Sequence, residues 1–440
     1  IPTHPQDRET LMRRIWAALT TTALTAAALT GCGLGAGDSK NSDSVASAAA
    51  TGEVKGKVSI QTWALKPKFT DYMQGVIDGF KKKYPGVEVD WLDQPGEGYS
   101  DKVLSQAASG TLPDVVNLPP DFAFPLAKKD VLLDVAKADP KLADEYVAGG
   151  VEAYRYNGYQ GTFGYPWYLN TDVDYWNSDL LGKDGLDPKK PPTSLDELIA
   201  QARVMKEKSG GQDYLMSRKP GLGDLYDIGV KIMADDGKSF TFNTPEAAAL
   251  LDRYRDAFKE GLMPNGVLTD TYAGNSKLFS AGTVAWTTGG GNYITSLATD
   301  NPTLAPKVVA SPAMGTPPLY VQGLSIPKST KNPAAAVALA RWVTSPENQA
   351  AFAHLTSVFP STKASANDPF FSRSDGTNAG NAKVIAFDSL AKAKLIQPVE
   401  VDDAMGTVVK QQFALAISGR SSSKQALDTA VAQCDKLLKG

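Results

Sequence analysis

The chain of 440 residues is poor in the side chains that carry most enzyme chemistry, with two histidines (His4, His354) and two cysteines (Cys32, Cys434). His4 falls in a polar N-terminal stretch, which leaves His354 alone in the body of the chain. A serine–histidine triad or a multi-histidine metal site therefore has almost nothing to be built from, and no motif asks for a cofactor or a metal. His354 sits in Ala-Phe-Ala-His-Leu and is expected to pack at a helix end, while Cys434 is in step with Leu427, Val431 and Leu438 on one helix face and reads as a small buried residue. An excess of one charge is also missing. The formal net charge is −3, and no stripe of Lys and Arg follows a helix, which argues against a nucleic-acid partner. Beyond Cys32 no run of 18 apolar residues occurs, so no transmembrane helix is expected there.

What the N-terminal part does contain is an export signal. Met12-Arg13-Arg14 precedes a soft apolar run over residues 15–29, and Leu29-Thr30-Gly31-Cys32 follows. At ~1.5 Å per residue the run falls short of the ~30 Å hydrocarbon core, so it suits a translocon and cannot span a bilayer stably. Small residues before Cys32 suit a signal peptidase, and the thiol is the natural acceptor of a diacylglyceryl anchor, several acyl chains holding firmly. The bland alternative is a cleaved secretory signal with a chance cysteine. Residues 1–11 suit no signal and read as an overlong gene start or a leftover of cloning; Arg13-Arg14 leaves the choice between general and twin-arginine export open. Residues 1–31 are thus expected to be prefix and signal. Residues 32–56, rich in Gly, Ser, Ala, Asp and Lys, are expected to form a flexible tether to a folded extracytoplasmic body.

In the body, Val58-Ser-Ile-Gln-Thr-Trp63 alternates as a half-buried strand, and Phe69, Met73, Val76, Ile77, Phe80 and Tyr84 recur at helical spacing before Pro85-Gly86. A second strand follows over 87–91, a helix over 103–108 and a third strand over 114–118. This β-α-β-α-β rhythm predicts an α/β class with a parallel sheet covered by helices, and ligands in such sheets bind beyond the carboxyl ends of the strands. Further helices are predicted after Thr193 or Ser194 as N-cap, and over 246–259, 272–279, 333–343 and 423–438.

The stretches 108–116 (ASGTLPDVV), 163–167 (FGYPW), 175–180 (YWNSDL), 192–197 (PTSLDE), 279–282 (FSAG), 326–332 (IPKSTKN) and 419–427 (GRSSSKQAL), taken in order, resemble the family 1 extracellular solute-binding proteins of ABC importers, the maltose-binding-protein-like group. The resemblance covers residues 58–438. It implies a two-lobed periplasmic-binding-protein fold, each lobe a sheet flanked by helices, joined by hinge crossings. By analogy the first lobe takes 57–168 and 323–358, and the second 169–322 and 359–440. It further implies a monomeric, lipid-anchored receptor that captures a carbohydrate or other small organic solute in the cleft and hands it to a membrane permease.

A sugar cleft needs flat apolar faces for C–H surfaces and planar polar groups for hydroxyls. Trp63, Trp167 and Trp286 lie at expected cleft edges, the last before Gly289-Gly290-Gly291 and Tyr293. Hinge packing for Trp167 and inter-lobe packing for Trp286 are the competing readings; Trp91, Trp176 and Trp342 are assigned to cores. Asp121 is placed like an aspartate that hydrogen-bonds sugar hydroxyls in the maltose-binding members, with helix capping as its alternative. Glu97, Asn117, Asp224 and Tyr226 complete the candidates. One departure is the stretch 401–407 (VDDAMGT), where those members carry adjacent aromatics, which makes maltodextrin an unsafe choice of cargo. Glu97, Asp121, Asp172 and Asp174 keep a polyamine cargo open, and Asp121 with Asp224 keeps a secreted glycosidase open, although no local motif marks them as acid and base. The anchor assignment is tested by Cys32→Ser, which is expected to release the protein into the medium with its ligand affinity unchanged; retention with lost binding would contradict it.

Overall fold

The computed structural model describes residues 38–269 and 274–439, so Cys32 and the export signal lie outside the described residues. Nine strands organise the body: β1 (Gly56–Trp63), β2 (Val87–Gln94), β3 (Val115–Leu118), β4 (Tyr165–Asn170), β5 (Asp172–Asn177), β6 (Trp286–Gly290), β7 (Val308–Ser311), β8 (Tyr320–Ser325) and β9 (Phe359–Pro360). They form a six-stranded sheet in the order β2-β1-β3-β8-β4-β9 and a three-stranded sheet in the order β6-β5-β7. Each sheet is covered by helices, giving two lobes.

The local reasons are those legible in the pattern. Helix α2 (Thr70–Lys83) buries Met73, Val76, Ile77 and Phe80, carries Asp71 in its first turn and Lys81, Lys82 and Lys83 in its last, as its dipole favours. Helix α3 (Tyr99–Ala108) returns the chain to β3, and α4 (Pro120–Lys128) starts with proline in its first turn, where the missing N–H is harmless. The helix Leu195–Ser209 is capped by Ser194, whose hydroxyl accepts the Glu197 N–H at 3.2 Å, while the Glu197 carboxylate accepts the Thr193 N–H and hydroxyl, both at 2.8 Å.

Three expectations are corrected. The sheet is parallel only across β2-β1-β3; β8 pairs antiparallel with β3 and β4, and β9 antiparallel with β4. These strands return from distant parts of the chain, and pairing direction over such separations leaves no local trace. Second, the expected tether contains helix α1 (Asp38–Thr51). Ala46 and Ala49 are buried there with Val45 packed beside them, and Asp43 accepts a bond from Lys137 at 2.8 Å. An alanine-rich turn gives up no side-chain entropy, so a narrow contact suffices to fix it. Third, the helix predicted over 272–279 is described only as Ser276–Ser280.

The six-stranded sheet also reaches past the expected limits of 168 and 323–358, since β4 runs to Asn170, β8 begins at Tyr320 and β9 adds Phe359–Pro360. One crossing between the sheets is a single residue long, Thr171, which joins β4 to β5. Strand β5 then splits its faces by alternation: Val173 and Tyr175 enter one apolar cluster and Trp176 the other, leaving Asp172 and Asp174 on the Trp176 side. The second cluster is closed by the helices Asp403–Ile417 and Ser423–Leu438 and includes Cys434.

Gly323 in β8 has a steric role. A Cβ there would stand 2.6 Å from the Tyr165 carbonyl oxygen and overlap the Tyr154 hydroxyl, which donates to the Leu118 carbonyl at 2.6 Å. Gly323→Ala is therefore expected to destabilise the protein by about 1–3 kcal/mol, the usual cost of overpacking, seen as a lower urea midpoint; an unchanged midpoint would show that Tyr154 yields freely.

Candidate functional site

A cavity of about 860 Å³ lies between the two sheets, within the range of ~300–1,000 Å³ that suits small organic ligands. One wall comes from the carboxyl end of β1 and the start of α4, which present Trp63, Asp121 and Phe122; β8 adds Tyr320 and Gln322. The facing wall is built by Asp172 and Asp174 of β5, Trp286 and Thr288 of β6, and the stretch from Ser217 to Asp224. Parallel strands do end at this cavity, as the sequence led us to expect.

Of the nine candidate ligand residues, four line the cavity: Trp63, Asp121, Asp224 and Trp286. Trp63 stacks on Tyr99 with ring centroids 5.3 Å apart and planes 3° from parallel, and meets Phe122 at 5.4 Å, so the three rings form one aromatic wall. Trp286 is almost wholly buried: it stacks on Trp176 at 6.1 Å, donates its indole N–H to Asp174 at 2.9 Å, and has the Arg218 guanidinium over its ring at 5.3 Å. Its ring is occupied by protein on both sides, all of it from the second lobe, so it packs within that lobe and matches neither free stacking nor the expected inter-lobe packing.

The other five lie away from the cavity lining. Asn117 is buried, donating to the Gln322 side chain and the Gly323 carbonyl, both at 3.0 Å, so it positions a lining residue. Trp167 is fully buried and stacks on Phe352 at 5.4 Å, packing inside the first lobe. Tyr293 packs on Tyr175 and Phe279. Glu97 is exposed in the turn before α3, and Tyr226 follows Asp224 in the short helix Leu222–Asp227 without reaching the cavity. The triple glycine also packs on protein, since a Cβ on Gly291 would meet that of Ala386 at 2.7 Å. Turn position at a strand end marked all these residues, but it does not say which way a side chain points.

The electrostatics divide the carboxylates into two kinds. Asp224 accepts two bonds from Arg218, at 2.7 and 2.8 Å, and the Gly221 N–H at 2.7 Å. Burial opposes the Arg218 charge, yet Asp224, with Tyr254 and Asp174 nearby, leaves its pKa above the ordinary value. Asp121, by contrast, is pushed up to about 6, chiefly by burial, against the pull of its own N–H and that of Phe122 and with a push from Asp403. Asp174 is likewise raised to about 6 by burial, although the Trp286 indole and the Met314 N–H at 2.8 Å favour its charge. Asp172 is raised by burial too, and accepts the Tyr320 hydroxyl at 3.0 Å. Arg218, Phe122 and Tyr320 were not singled out from the sequence. Asp172 and Asp174, considered there only for a polyamine, had a signal: two charges on one face of a strand whose other face is apolar.

Among the described residues no group of three or more His, Cys, Asp or Glu side chains is arranged to hold a metal, and no helix is long and apolar enough to cross a membrane. A family model described as "Bacterial extracellular solute-binding protein" matches residues 66–350. Among solved structures the chain is similar to a candidate oligosaccharide periplasmic-binding protein from Synechococcus sp. MITs9220, at TM-score 0.76 and 26% identity over 87% of this chain and 99% of that one. It is also similar to the GacH receptor of Streptomyces glaucescens GLA.O, solved unliganded and with acarbose (TM-score 0.72, 22% identity, 88% and 99% covered). A third is the maltose-bound MalE3 of T. maritima (0.70, 22%, 87% and 99%). The last two likenesses bear on the fold, which is two-lobed as in those proteins. No curated protein sequence matches.

The raised carboxyls set a sign for pH dependence. A carboxyl held above its unfolded value binds its proton more tightly when folded, so it stabilises the fold below about pH 4 and that contribution is lost as pH rises through about 6. Asp121→Asn, which cannot ionise, is expected to flatten part of the fall in stability between pH 4 and 6 in urea titrations. Equal slopes for the variant and the unchanged protein would contradict the assignment.

Proposed function

The chain belongs to the bacterial extracellular solute-binding protein family, and from that membership we propose that it captures a sugar or short oligosaccharide outside the cell and delivers it to the permease of an ABC importer. The carrying observation is the composition of the cavity: an aromatic wall of Trp63 and Phe122 faces carboxylates that are buried and hold hydrogen-bond capacity. Rings of this kind cover the C–H surface of a pyranose, and carboxylates accept its hydroxyl protons. The ligands held by the similar proteins, acarbose in GacH and maltose in MalE3, belong to the same chemical class. The anchor proposed at Cys32 would keep such a receptor at the cell surface as a tethered monomer.

Lobe boundaries near 57–168 with 323–358, and 169–322 with 359–440, go with this reading, adjusted for strands that extend to Asn170 and from Tyr320. Closure is then a hinge motion at the crossings, stabilised by a ligand touching both lobes. Binding without turnover is the consistent chemistry. Asp224, one half of the glycosidase pair considered from the sequence, is committed to Arg218 and to the start of its own helix, which leaves it poorly placed to exchange protons with a substrate.

The test is calorimetric titration of the purified chain against a carbohydrate panel. At least one member is expected to bind, and Trp63→Ala is expected to weaken that member about tenfold or more, a loss of ~1.4 kcal/mol or above. No heat and no thermal shift from any member would overturn the sugar assignment, and chromogenic glycosides turned over above a blank would restore the enzyme alternative.

A further inference from the structure

The sugar-binding reading leaves the charge of the cargo open, and the lining bears on it. Three cavity carboxylates have no cationic partner: Asp172 accepts only the Tyr320 hydroxyl, Asp174 the Trp286 indole and the Met314 N–H, and Asp121 lies at the start of α4 beside its own N–H and that of Phe122. None of the three forms an ion pair with a described residue. Arg218, the guanidinium nearest Asp172 and Asp174, is already gripped through two nitrogens by Asp224. The remaining two cations of the lining are engaged or peripheral, Lys219 having an interaction of its own and Lys410 being exposed beside Asp403.

A buried carboxylate without a counter-charge is costly, and the cost is relieved when a cation arrives in hydrogen-bonding position. Strand β5 sets Asp172 and Asp174 two residues apart on one face, with Cα atoms ~6–7 Å apart, a spacing one ammonium can bridge with two charge-assisted bonds. The opposite wall carries a separate sign of an occupant. The rings of Trp63 and Phe122 line the cavity and offer faces to C–H bonds or to a cation. A bare polyamine has no ring to lay on those faces; a neutral sugar has one but leaves the carboxylates uncompensated.

We propose that the cleft selects a saccharide bearing a protonated amine, an amino sugar or a short oligomer of one, with its ammonium seated at Asp172 and Asp174 and its ring against Trp63 and Phe122. The inference rests on the sugar-binding reading and sharpens it. It is tested on the whole chain by calorimetry at neutral pH and low salt with two matched series: glucose, glucosamine and N-acetylglucosamine, and the β-1,4-linked dimers of the same three sugars. The free-amine member is expected to bind at least tenfold more tightly than its neutral and acetylated partners. Asp172→Asn is expected to abolish that preference, lowering the affinity for the amine members at least tenfold more than the affinity for the neutral ones. If that variant fails to fold, acetylation still removes the charge from the ligand side, so the matched series alone decide. Neutral or acetylated members binding as well as the amines would overturn the inference and leave the sugar reading standing. Silence from all six would overturn the inference and count against the sugar reading as well.

Discussion

Thr171 is the whole of the connection between β4, which belongs to the six-stranded sheet, and β5, which belongs to the three-stranded one. A link this short fixes the pleat of β5 relative to β4, because successive side chains of an extended chain must alternate. The same alternation sends Val173 and Tyr175 into apolar packing and turns Asp172 and Asp174 to the other face. Tyr320, the first residue of β8, lies opposite Asn170 in the ladder and reaches across to Asp172 with its hydroxyl. The acidic wall of the cavity is thus set by the register of one crossing, and it could not be moved by a residue without exposing Tyr175 and burying charge against apolar side chains.

The two walls are held by different physics. Trp63, Tyr99 and Phe122 are fixed by ring packing, which tolerates small shifts, whereas Asp174 is fixed by two directional bonds, from the Trp286 indole and from the Met314 N–H. Arg218 connects the second wall to itself: it lies over the Trp286 ring, forks onto Asp224, and through Asp224 is joined to the start of the helix Leu222–Asp227. Burial raises the proton affinity of Asp121, Asp172 and Asp174 alike. A cleft prepared in this way has much of its desolvation done before a ligand enters, so the ligand's own contacts count for more.

Much of the fold was legible because it is local. Helix α2, β1, β2, β3 and the helices Pro245–Lys259, Pro333–Val343 and Ser423–Leu438 follow from periodicity, caps and breakers in the sequence itself. What could not be read is what depends on distant partners. The antiparallel insertion of β8 between β3 and β4 unites it with segments about two hundred and about one hundred and fifty residues earlier. Helix α1 owes its burial to a narrow alanine contact that composition alone undervalues. The site divided in the same way: Trp63 and Asp121 stand where a strand end and a helix start must face the cleft, while Trp167 and Asn117, equally near in sequence, are turned inward by Phe352 and by the β8 carbonyls. Arg218 was invisible because its role is defined by Trp286, sixty-eight positions later.

The unequal burial of the tryptophans has an optical consequence. Trp167, Trp176 and Trp286 have at most 1% of their surface exposed, and Trp91 and Trp342 are tied by their indole N–H groups to Thr62 and Val76, with lysines over their rings. Trp63 alone among the described indoles combines a place in the cavity wall with partial exposure and a free N–H. Its emission is the one set by whatever fills the cleft, with Tyr99 stacked close enough to feed it excitation energy. The fold has in effect labelled its own binding site with a native fluorophore, against a background of indoles that are buried or tied by their own N–H bonds.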